Sequence, residues 1–172
     1  MRQRERVGVA TALAAAATGM VLIGACTKQV PGDAQANQTD LASYTSEVAA
    51  SSAARVQKAN DDACDGLRAA NKSSVASFNA YIEASNNRAP DTDTKANEAV
   101  TTLRNNAKDF ARKLTNDVIP ALSEPLRAYR DNTNTLADTL ERRAPTDELN
   151  GVIDTFNAAK DAAIDVCEPY GN

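Results

Sequence analysis

The chain has 172 residues, room for one domain and a targeting segment, and a net charge of −4. It contains no His and no Trp, and Ala carries most of its 42% apolar content. Without His, the Ser-His-Asp, Cys-His and His-metal chemistries are excluded. The acidic balance argues against nucleic acid, whose phosphates need clustered Lys and Arg.

Arg2, Arg4 and Arg6 form a positive start, and a run of small and apolar residues follows from Val7 to Ala25. This pattern reads as a secretory signal; a membrane-spanning helix is the alternative on length alone. The ending, Leu22-Ile23-Gly24-Ala25-Cys26, resembles a bacterial lipobox: an aliphatic residue three places before Cys, two small residues, then the Cys. In that family the Cys thiol receives a diacylglyceryl group and a peptidase cleaves just before it. The resemblance implies that residues 1–25 are a lipoprotein signal peptide and that Cys26 is the lipidation site. The chain would then be held on the extracytoplasmic face of the cell membrane by acyl chains such as palmitate. Two chains hold where a single one binds only marginally. Loss of three Arg and one Glu with the signal takes the net charge from −4 to −6.

Three cysteines in an exported protein leave one unpaired. With Cys26 assigned to lipid, Cys64 and Cys167 are free to form a disulfide in an oxidising compartment. No thiol then remains for nucleophilic catalysis.

From Thr27 to about Asp40 the chain is polar with one Pro-Gly and reads as a flexible tether. Leu41 to Asn60 is Ala- and Ser-rich, a weak helix with little to bury. The expected organisation is therefore 1–25 signal, 26–58 lipidated N-terminus with tether, and 59–172 helical domain.

Helical periodicity is clear beyond that point. Helix one is expected from Ala59 to Ser85, with Cys64, Leu67, Val75, Phe78 and Ile82 on one face and a break near Asn71. Helix two is expected from Thr94 to Ile119, on Val100, Leu103, Ala107, Phe110, Leu114 and Val118. Helix three follows from Leu122 to Arg143, on Leu122, Leu126, Tyr129, Thr133, Leu136 and Leu140. Helix four begins after Thr146 as N-cap, on Leu149, Val152, Phe156, Ala159, Ala163 and Cys167, and Pro169 stops it. Pro120 lies between helices two and three, which could instead be one kinked helix; a turn is favoured because Pro125 follows.

Four helices of similar length predict an all-α, up-down-up-down four-helix bundle. That topology brings Cys64, early in helix one, level with Cys167, late in helix four, within the reach of about 7 Å that a disulfide needs. Val, Ile, Leu and Phe supply only about 16% of the residues after position 25, so the bridge offsets a thin core.

Three features invite a functional reading, each beside a structural one. Arg88-Ala89-Pro90 echoes Arg143-Ala144-Pro145; with Arg142 these could make a basic spot at one end of the bundle, or serve only as helix punctuation. Val75-Ala76-Ser77-Phe78-Asn79-Ala80 echoes Ile153-Asp154-Thr155-Phe156-Asn157-Ala158, with Phe78 and Phe156 expected as core anchors and Asn79 and Asn157 bonding each other or a ligand. Asp61, Asp62, Asp65, Asp161, Asp165 and Glu168 gather around the two cysteines; this could hold Ca²⁺ or Mg²⁺, but solvated charge is the favoured reading. No phosphate loop, dinucleotide fingerprint or nucleophile elbow is present.

The lipobox, the Ala-, Asp- and Thr-rich composition and the Cys64/Cys167 pair together resemble small helical lipoproteins of actinobacteria such as mycobacteria. That resemblance implies a location and no chemistry. The expectation is a non-enzymatic, lipid-anchored module with a structural or protein-interaction role in the envelope, without cofactor, catalytic residue or metal. Its partners would be the membrane, through the anchor, and an envelope protein, with no nucleic acid. The alternative is a small-molecule or lipid-binding lipoprotein, disfavoured because a cavity of about 300 Å³ or more would consume so thin a core.

Overall fold

The computed structural model describes residues 37–170. Cys26 and the signal-like segment lie outside the described residues. The chain from Asn37 onward groups as one compact unit, and among the described residues it holds the buried core and the disulfide.

Four helices run in alternating directions: α1 (Gln38–Asn86), α2 (Thr92–Ala111), α3 (Pro120–Glu141) and α4 (Thr146–Cys167). The expected all-α, up-down-up-down four-helix bundle with one disulfide is what is found. The α3 stripe is met in full, with Leu122, Leu126, Tyr129, Thr133, Leu136 and Leu140 all buried. Tyr129 sits at the centre of an aromatic line, its ring centroid 5.7 Å from those of Phe110 on α2 and Phe156 on α4.

Helix one is the largest departure from expectation. It does not start at Ala59 but runs unbroken for 49 residues from Gln38. Residues 38–58, expected to be tether and weak helix, are its first half. Asn37 caps it, its side chain accepting from the Thr39 N–H at 3.0 Å. Neither Gly nor Pro occurs between Gln38 and Asp65, and Ala is the best helix former, so propensity carries a stretch that packing does not. Residues 38–51 are exposed throughout. Contact with the bundle begins at Ser52 and Arg55, whose guanidinium pairs with Asp117 at 3.3 Å, and full burial begins at Asn60, leaving an overhang of about 21 Å at 1.5 Å per residue. No break occurs at Asn71; the helix passes through it to Asn86.

Helix two ends at Ala111, well short of Ile119. A residue before proline is pushed out of the helical region, and Ile119 is extended at φ −63°, ψ 148°. Thr115, Asn116 and Asp117 favour turns over helix. Val118 is nonetheless buried, reaching the core from a turn. Pro120 is the first residue of α3, where its missing N–H costs nothing, so α2 and α3 are separate helices. Pro125 is carried inside α3 near its start. At the last junction Pro145 occupies the cap position and Thr146 is already helical, so Thr146 is not the side-chain N-cap.

Candidate functional site

Cys64 and Cys167 are bridged with their Cα atoms 5.5 Å apart, across a separation of 103 residues. The bridge clamps one end of the seam between α1 and α4. Arg68 reinforces it, pairing with Asp65 and donating to the carbonyls of Cys167 and Tyr170.

Further along the seam the two helices part, leaving a cleft of about 330 Å³. Val75, Phe78 and Ile82 of α1 face Ile153 and Phe156 of α4 across it, with Leu136 of α3 beneath. The space lies along the seam rather than at the expense of the buried layers, so a thin core accommodates it. Both halves of the Phe-Asn echo line this cleft: Phe78 and Phe156 are 8% and 5% exposed, and Asn79 and Asn157 join Asn150 and Lys160 as its polar members. Asn157 Oδ1 accepts from Lys160 Nζ at 3.2 Å, not from Asn79. Periodicity had placed Val75 and Ile82 in the core; they are half-buried because the cleft opens beside them.

Behind the cleft is a partly buried polar layer. Asn106 Nδ2 donates to Ser73 Oγ at 2.7 Å and Ser74 Oγ at 2.9 Å, tying α2 to α1. The Tyr129 hydroxyl is enclosed beside the Thr133 and Ser74 hydroxyls but makes no hydrogen bond of good geometry to either. Burial pushes its pKa up, and the nearby Thr133 and Ser74 hydroxyls offset this only in part.

At the opposite end from the disulfide, the Arg-Ala-Pro echo has a backbone cause. Arg88 (φ 50°) and Arg143 (φ 52°) adopt the left-handed conformation. Each ends its helix in the same way: Arg88 N–H donates to Ser85 and Ala89 N–H to Ala84, as Arg143 does to Leu140 and Ala144 to Thr139. This is the paired 5→2 and 6→1 Schellman closure, normally made with Gly at the left-handed position. The arginines do not combine into a free basic spot. Arg142 pairs with Glu148, while Arg143 donates to Asn97 Oδ1 at 2.9 Å and pairs with Asp93 at 3.4 Å.

Half of the acidic cluster is likewise drawn into pairs. Asp62 pairs with Lys58 at 2.9 Å, Asp65 with Arg68 at 2.8 Å and Asp161 with Lys160 at 3.3 Å. The hydrogen bond with Lys58 holds the Asp62 carboxyl below its ordinary pKa and raises that of Lys58. Among the described residues no group of three or more His, Cys, Asp or Glu is placed to hold a metal ion.

Fold, crosslink and seam define a disulfide-bridged four-helix bundle with an extended first helix. The chain belongs to the Rv2240c four-helix bundle domain family, whose model matches residues 46–168. No curated protein and no solved structure matches it significantly.

Proposed function

We propose that the chain is an envelope lipoprotein, exported, cleaved before Cys26 and held by acyl chains on the extracytoplasmic face of the cell membrane. Its role is non-enzymatic, exerted through structure or through contact with an envelope protein. The observation that carries this reading is how the cysteines divide. Cys64 and Cys167 bond each other, so Cys26, at the end of the lipobox-like run, is the one left for different chemistry. A disulfide also suits an oxidising compartment outside the cytoplasm.

The geometry of α1 supports a spacer role. An anchor at Cys26 would be followed by 12 residues to Gln38, then by about 21 Å of single helix before α1 meets the bundle. The disulfide end of the bundle would then stand off from the membrane. Leu41, Tyr44 and Val48 are 52%, 66% and 49% exposed on that overhang, at a spacing that places them along one face. They are the apolar surface through which a neighbouring envelope protein would be met.

Fractionation of cells making the Cys26→Ala variant tests the anchor. The variant should lose its acyl modification and appear uncleaved or in the soluble fraction. Membrane partitioning identical to wild type would overturn the reading. For the interaction role, a photocrosslinking residue at Tyr44 should capture one envelope protein reproducibly; absence of any discrete adduct would count against it.

A further inference from the structure

The disulfide sets the register of the antiparallel pair α1/α4. Counting back from Cys64 opposite Cys167, equal steps place Asn71 level with Lys160, Val75 with Phe156, and Phe78 with Ile153. The cleft wall is thus two successive pairs of an aromatic ring against a β-branched side chain. Its polar residues are Ser74 and the rim members Asn79, Asn150, Asn157 and Lys160. From Lys160 to Asn150 is about 15 Å along the helix, the length of a medium acyl chain.

Lys160 is the one charged residue in the lining, and its side chain is 22% exposed. Its ammonium has three donors. Two are engaged, by Asn157 Oδ1 at 3.2 Å and by Asp161 at 3.3 Å. Asp161 is its chain neighbour and 68% exposed, a pair that water screens and a guest could displace. The cleft is therefore apolar along its length with a cationic pole toward the disulfide. At about 330 Å³ it falls at the small end of the range for ligand pockets.

We infer that the α1/α4 cleft binds a small amphiphile with a single anionic group, its apolar body between Phe78 and Phe156 and its anion on Lys160. The inference rests on the cleft alone and stands apart from membrane anchoring at Cys26.

The test uses residues 27–172, which contain the whole bundle, titrated with decanoate below its micelle concentration. Calorimetry gives affinity, and NMR shift changes give position. Decanoate should bind saturably and about tenfold tighter than decan-1-ol, with shifts concentrated at Val75, Phe78, Ile153 and Lys160. Lys160→Gln should weaken decanoate about tenfold and leave decan-1-ol unchanged. Val75→Phe, filling the cleft, should weaken both ligands at least tenfold. If that variant loses its helical signal, Asn79→Trp at the exposed rim replaces it with the same expectation. The inference is overturned by no saturable binding, by equal affinity for acid and alcohol, by an unaltered Lys160→Gln or cleft-filled protein, or by shifts at Leu41, Tyr44 and Val48 instead of the cleft.

Discussion

Asn60 Oδ1 accepts a hydrogen bond from the backbone N–H of Ile119 at 3.1 Å, joining the inner half of α1 to the turn that launches α3. Asn60 is 4% exposed and Ile119 half-buried, so losing the side chain leaves that N–H without its protein acceptor. Ile119 precedes Pro120 and is held extended, out of reach of a helical partner. Asn60→Ala should therefore cost about 0.5–1.5 kcal/mol, the net worth of a partly buried hydrogen bond. Urea unfolding measures it; a midpoint equal to wild type would show that the turn needs no such pin.

Removing the bridge should matter as much or more. Cys64→Ser with Cys167→Ser frees a 103-residue span, worth about 4.7 kcal/mol in the chain-entropy model and about 2–4 kcal/mol as commonly measured. The helical signal should persist while the urea midpoint falls. Because the bridge is the clamp on α1 and α4, amide exchange should accelerate first along that seam. Uniform acceleration over all four helices would contradict the clamp.

Tyr129 makes the bundle sensitive to alkali. Burial raises its pKa above 10.0, so the native state holds the phenolic proton more tightly than the unfolded chain does. This contribution is complete below pH 10, declines above it, and is lost as pH rises through the raised native value. Tyr129→Phe should flatten the alkaline decline seen in unfolding curves. At pH 7 it should be neutral or stabilising by up to about 1 kcal/mol, because it removes a buried hydroxyl that makes no hydrogen bond of good geometry. A marked loss of stability at pH 7 would mean the hydroxyl is bonded after all.

The two left-handed arginines should respond differently to glycine. At Arg88 the substitution relieves about 1–2 kcal/mol of left-handed strain and costs about 0.5–1 kcal/mol in unfolded-state entropy, for a net gain. At Arg143 the same change also removes bonds to Asn97 and to the Leu140 carbonyl, the latter 2.8 Å long. Arg88→Gly should raise the melting temperature and Arg143→Gly should not. Equal shifts for both would show that the Arg143 contacts add nothing.

What the sequence disclosed depended on whether a helix had something to pack against. The spacing of six buried side chains made α3 legible from Leu122 to Leu140. The first half of α1 buries nothing, so periodicity was silent there, and uninterrupted Ala-rich propensity was the better signal. Around Leu114 and Val118 the burial pattern held although the helix did not, because a turn delivers Val118 to the core just as well. The cleft was hidden for another reason: periodicity finds inward faces but not which seam parts. Asn79, Asn150 and Asn157, flanking the apolar stripes of α1 and α4, were the available sign of it.

The most direct measurement of the central claim is the mass and sequence of the N-terminal peptide of the protein purified from its own cells. The account predicts that the mature chain starts at Cys26 and that this residue carries a diacylglyceryl group. A chain that retains residues 1–25, or that presents Cys26 as a free thiol, would contradict it.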